Sequence, residues 1–183
     1  MTEVLTQLWA AAASPQRFFR WLEPRSTRIF RAGGVALVSL VVLGFACVLG
    51  FARATGSDAY LPLAGFAVLG AGVALVYLWA FGSIFVQRPG ALDVRAWEVV
   101  GWSWTPALFG SVAMLVPLWI FPVPALVAVL VTVLVWHLNV LRAGLSVFLN
   151  RPAITVVVFY ALFIFGLPLL LLGFLVWFSA QFT

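Results

Sequence analysis

The chain has no lysine, one histidine, one cysteine and only five carboxylates in 183 residues. Each shortage removes a chemistry. A Ser–Lys dyad cannot form without lysine. One histidine, His137, cannot supply the HExxH zinc motif of a membrane protease. Cys47 lies inside an apolar run, so no intrachain disulfide exists and the redox compartment stays unread. An aspartyl pair fails because Asp58 and Asp93 fall on opposite sides of the membrane in the topology derived below. A Ser–His pair is poorly matched, since Ser83 lies about 12 Å nearer the inner surface than His137, counted at 1.5 Å per residue from the outer starts of their spans. Gly-rich phosphate loops and haem or iron–sulfur signatures are missing as well. The expectation is a protein with no catalytic residues, no metal and no cofactor. The lysine-free composition also fits a GC-rich, bacterial genome.

Charged residues make up 8% of the chain and hydrophobic ones 65%, whereas a soluble domain is about a quarter charged. Mean hydropathy is +1.18. A chain this short has no interior able to hide so much apolar surface, so lipid is its solvent. A bilayer core of about 30 Å requires about 20 apolar helical residues. Five runs qualify: 32–52, 62–86, 99–121, 124–149 and 153–178. They are too long and too uniformly apolar for alternating barrel strands. The fold class is therefore all-α and polytopic, with five transmembrane helices over 32–183 and a polar N-terminal segment over 1–31. No cleavable signal peptide is expected, because Glu3 and Ser14-Pro15 interrupt the first twenty residues.

Pro106, Pro117 and Pro168 fall inside spans, where each frees a backbone carbonyl and kinks the helix. Neighbouring helices must then shield that carbonyl. Pro62, Pro124 and Pro152 stand near span starts, where a missing N–H costs nothing. Spans three and four are joined by little more than Pro122-Val123, which predicts a tight antiparallel hairpin. Polar-Arg-Pro follows both even-numbered spans, at Gln87-Arg88-Pro89 and Asn150-Arg151-Pro152. A common interfacial stop explains that recurrence as well as a repeat does.

All ten basic residues are arginines. With the N-terminus inside, the cytoplasmic side receives Arg17, Arg20, Arg25, Arg28, Arg31, Arg88, Arg95, Arg142 and Arg151, and the outer side only Arg53. Short loops are the regime of the positive-inside rule. The expected topology is N-in, C-out, in a bacterial inner membrane, with Ser179 to Thr183 as a short external tail. The formal charge of +5 then belongs to anionic headgroups; nucleic acid, which needs a basic face in water, is not an expected partner.

Within residues 1–31, Val4, Leu5, Leu8 and Trp9 share one helical side. Ser14 has the character of an N-cap and Pro15 of a first helical residue. Pro15, Phe18, Phe19 and Leu22 follow at i, i+3, i+4, i+7 spacing, with Arg17 and Arg20 toward the other face. The pattern predicts an amphipathic interfacial helix, with arginines at headgroups and phenylalanines below. Either it anchors the chain or it senses a partner or curvature. Glu23-Pro24 ends it before Arg25, Arg28 and Arg31.

Polar residues inside spans are costly and mark candidate sites. His137, Asn139 and Arg142 lie in the fourth span. His137 is about 20 Å from the outer start at Pro124, and its simplest role is a neutral imidazole hydrogen-bonded to a neighbouring helix. Asn139 and Arg142 share a face, and Arg142 can snorkel inward. Asp93 and Glu98 are expected in surface ion pairs with Arg88 and Arg95, and Trp97, Trp102 and Trp104 in an interfacial aromatic belt.

Three features together resemble the Yip-domain family of five-span membrane proteins. Ser14-Pro15-Gln16-Arg17-Phe18-Phe19 is similar to the Pro-x-x-Phe-Phe lead-in of prokaryotic members. Val99 to Leu108, with Gly101, Trp102, Trp104, Pro106 and Leu108, resembles the pattern opening the family's third span. Pro122-x-Pro124 precedes a long span holding Trp136. The resemblance implies a non-enzymatic membrane scaffold or adaptor. Eukaryotic members bind Rab-type GTPases through a longer N-terminal region than the roughly thirty residues present here. Expected partners are anionic lipid and membrane proteins, including self-association through small residues such as Ala46, Gly50 and Ala54, or Gly70 and Ala74. The alternative is a small transporter or channel subunit with a polar site near His137.

Overall fold

The computed structural model describes residues 2–23, 25, 29–55, 94–115, 123–149, 154–162 and 166. Its elements are α1 (Thr2–Ala13), α2 (Pro15–Leu22), α3 (Ile29–Thr55), α4 (Val94–Ser103), α5 (Thr105–Leu115), α6 (Val123–Leu149) and α7 (Ile154–Ala161). No strand occurs among the described residues. The fold is helical, and two of these helices are long and apolar enough to cross a membrane. Their windows, Ile29–Cys47 and Val127–Phe148, have mean hydropathies of 2.1 and 1.7. About two thirds of each window stays unburied, at 39% and 33% buried, unlike the core helix of a soluble protein. In α6, Val127, Val131 and Val135 form an exposed stripe at i, i+4, i+8. Such a stripe is stable against lipid and costly against water.

The helix over the first apolar run is longer than that run, and the helix over the third begins at Val94 rather than Val99. The latter is also broken, and neither described half passes as a span by length. Pro106 lacks the N–H that would bond the Trp102 carbonyl, and the helix steps out of register at Trp104. Expected span 62–86, Arg88 and the prolines at 117, 122, 152 and 168 lie outside the described residues. The fourth span agrees closely, starting at Val123 with Pro124 in its first turn.

The largest correction concerns the N-terminal segment. Ser14 does take the N-cap position and Pro15 follows it, but the Ser14 hydroxyl makes no capping bond. The chain doubles back there, and Glu3 and Trp21 line opposite legs of one cleft. Phe18, Phe19 and Leu22 do not enter lipid. They are buried with Val99, Trp102 and Leu145 in the main core cluster. Phe18 meets the Trp102 ring edge-on at 4.9 Å, and Phe19 meets Phe148 at 6.1 Å. The amphipathic pattern was real, but a helix bundle offers its apolar face denser contact than acyl chains do. A second cluster of Ala36, Leu40, Leu43, Ala46, Trp104, Ala107 and Val133 joins α3, α5 and α6.

Three glycines, Gly101, Gly110 and Gly144, set the closeness of this packing. A Cβ on Gly101 would stand 2.6 Å from the Ala32 carbonyl oxygen, so α3 and α4 touch backbone to backbone. A Cβ on Gly144 would stand 2.6 Å from Val99 and 2.8 Å from the Phe19 ring. Gly101→Ala is expected to destabilise the protein by about 1–3 kcal/mol, because backbone cannot yield as a side chain can. Gly34→Ala, with nothing within 4 Å, should be neutral or raise stability by up to about 1 kcal/mol. Thermal unfolding in detergent micelles compares the two.

Candidate functional site

The polar groups of the described chain gather at two places. At the first, α1 and α2 are fastened to the bundle. Helix ends leave their last carbonyls without intrahelical donors. Arg95 on α4 supplies them to α2: its Nη1 donates to Leu22 O at 3.4 Å, and its Nη2 donates to Glu23 O at 3.0 Å and to Arg25 O. The same guanidinium donates to Glu98 Oε2 at 3.0 Å and lies 5.6 Å from the Phe148 ring centroid. Glu98 is fully buried, so the expected surface ion pair is an internal one. Its carboxylate holds the guanidinium fork toward α2, a geometry suited to arginine.

Two further bonds join the hairpin to long helices. Trp136 Nε1 donates to Ala12 O at 3.0 Å, satisfying the end of α1. Arg31 Nη1 donates to Gln7 Oε1 at 3.0 Å, and Gln7 Nε2 donates to Glu3 Oε1 at 3.0 Å. Arg95 and Arg31 therefore act within the protein rather than toward headgroups. Arg25 covers the Trp21 ring at 3.8 Å.

The second place is the break between α4 and α5. Trp102 O, freed by Pro106, accepts from Thr105 Oγ1 at 2.5 Å. Ala107 N turns to Trp104 O at 2.9 Å, which leaves Ser103 O open. His137 Nδ1 takes it at 2.9 Å. A carbonyl only accepts, so His137 Nδ1 carries a proton and donates it. The imidazole stacks on Trp104 at 4.0 Å and lies 5.6 Å from the Tyr160 ring. Neither His137 Nε2 nor the Tyr160 hydroxyl has a hydrogen-bond partner among the described residues. His137 thus bridges α6 to the end of α4 through Ser103 O. Tyr160 supplies the second polar group beside it that sequence spacing did not reveal.

Arg17 and Arg20 are exposed on α2. Arg142 is exposed on α6 and donates to Asn139 Oδ1 at 3.4 Å, away from His137 as their angular separation requires. Of the residues carrying the family resemblance, Gly101 makes the backbone contact with Ala32, Pro106 is buried at the break and Leu108 is half-buried. Trp102 and Trp104 are 1% and 2% exposed. They form core, not the expected interfacial belt. Among the described residues, no group of three His, Cys, Asp or Glu side chains is placed to hold a metal.

No family model, curated protein or solved structure matches the chain. Its function must be argued from the geometry.

Two outcomes check these roles. His137→Phe keeps the ring but leaves Ser103 O buried and unpaired, and should cost about 1–3 kcal/mol; reversible unfolding in mixed micelles measures it. Arg95→Met strips the donors from the end of α2 and the cation from buried Glu98, and should cost about 3 kcal/mol or more. Adding Glu98→Gln to Arg95→Met should recover part of that loss, and a double-mutant cycle isolates the shared term.

Proposed function

We propose that the protein is a non-enzymatic membrane scaffold or adaptor of the Yip-domain type, with five spans and a cytoplasmic N-terminus in a bacterial inner membrane. The observation that carries this reading is the N-terminal hairpin. Its inner face is fixed to α4 and α6 through Phe18, Phe19, Arg95 and Trp136. Its outer face leaves Leu5, Trp9, Arg17 and Arg20 open. A rigid, docked platform with exposed apolar and cationic groups suits recruitment, because little ordering entropy is lost on binding. The hairpin, the start of α3, the start of α4 and the end of α6 meet at one end of the bundle. Of the seven described arginines, those at positions 17, 20, 25, 31, 95 and 142 lie on those segments and Arg53 lies at the far end of α3, which supports an inner, positive side. The platform would engage anionic headgroups and membrane-protein partners, a second copy included.

Photo-reactive residues at Leu5 and Arg20 test the docking role in native membranes. A discrete crosslinked protein band from either position is expected. Lipid adducts alone from both would overturn it. Phe18 and Phe19 are unsuitable probes, since their replacement would unseat the hairpin.

A second reading, a small transporter or channel subunit, draws on the broken third span and the His137–Tyr160 pair. Broken helices with polar groups between them are a transporter feature. Proteoliposome flux that disappears in His137→Phe would favour it, and no flux across a broad solute panel would count against it.

A further inference from the structure

The cleft between α1 and α2 has a volume of about 700 Å³, within the range of about 300–1,000 Å³ typical of ligand sites. Its walls are Trp9, Ala13, Phe18 and Trp21, with Glu3 and Arg17 as its charged lining. Glu3 is turned to Gln7, which Arg31 holds in turn. Arg17 is exposed and has no hydrogen bond or ion pair among the described residues. The cleft therefore offers one uncommitted cation above aromatic and methyl surface. That combination matches a phosphate joined to an apolar body.

The depth of the hairpin selects the occupant. Ala12, beside the tip, is bonded to Trp136 at the midpoint of α6. Phe19, farther along α2, packs at Gly144 and Phe148, near the C-terminal end of α6. The legs thus run along the last turns of a helix that is apolar enough to span a bilayer. Arg142 is exposed on that helix, where an arginine marks headgroup level. Trp136 lies about 9 Å deeper, six residues at 1.5 Å each. A cleft spanning these levels opens onto headgroup, glycerol and upper acyl chain together. Its two tryptophans, 59% and 43% exposed, have the rings favoured at that depth.

We propose that this cleft holds one phospholipid of the cytoplasmic leaflet, its phosphate on Arg17, its headgroup beside Trp21, and its glycerol and upper chains against Trp9 and Ala13. The proposal rests on the membrane and N-in reading above, but not on the existence of a protein partner. It replaces diffuse attraction by the whole arginine cluster with a single site.

Native mass spectrometry of the full-length, delipidated protein titrated with phosphatidylglycerol tests it without any partner present. One lipid should bind ahead of the rest. Arg17→Gln should weaken that first event about tenfold, the effect of losing about 1.4 kcal/mol, and Ala13→Trp should fill the cleft and abolish it. Arg142→Gln, exposed on α6 and outside the cleft lining, should leave it unchanged. Equal weakening by Arg17→Gln and Arg142→Gln would overturn the site in favour of general electrostatics, as would no effect from either. Displacement of the lipid by glycerol phosphate at equal concentration would also overturn it, because the acyl contacts would then contribute nothing. If Ala13→Trp does not fold, the arginine comparison decides alone. Loss of the Leu5 and Arg20 protein crosslinks with lipid binding intact would instead remove the scaffold reading and leave this one standing.

Discussion

Backbone carbonyls that helices cannot satisfy are the constraint on which this structure turns. Ala12 and the Leu22–Arg25 stretch end helices, and Trp102 and Ser103 precede a proline. In an apolar surrounding such a carbonyl has no water to bond, and leaving it unpaired costs several kcal/mol. The donors come from Trp136, Arg95, Thr105 and His137. All four lie on a different helix from the carbonyl they serve, Thr105 only across the break between α4 and α5. Each therefore fixes the position of one element against another as well as satisfying a group.

This constraint explains why the N-terminal segment is part of the bundle. An amphipathic helix pair could have remained at the membrane surface with its carbonyls in water. Once Phe18, Phe19 and Leu22 are buried against α4 and α6, the ends of α1 and α2 are drawn among protein atoms and need internal donors. Arg95 and Trp136 then restrain the hairpin by direction, which apolar contact does not. Glu98 completes the arrangement. An arginine this close to buried surface requires a counter-charge, and one three residues along the same helix faces it.

The same logic distinguishes the functional readings. A docked hairpin leaves a defined outer surface and a cleft, whereas a mobile one would leave neither. The exposed cations Arg17 and Arg20, unlike Arg95 and Arg31, have no acceptor among the described residues. The proposed scaffold role rests on these two arginines. The His137 cluster is bound into the helix break through one ring nitrogen. The other remains available, and that is the basis of the transport alternative.

Much of this was legible in the residues. Apolar run lengths determined helices and lipid, since about 20 residues must cover about 30 Å, and α6 lies almost on its expected limits. The period of Phe18, Phe19 and Leu22 identified the buried face of α2, and proline marked the broken span. What covers a face is not written in its period. Lipid and protein are both apolar, so only the tertiary structure decided that Phe18 meets Trp102 and that Trp102 and Trp104 are core. Nor does an arginine's position near a span end say whether it faces headgroups or carbonyls. Arg95 and Arg17 look alike in sequence, and their roles diverge because α2 ends beside one of them, through contacts more than seventy residues apart.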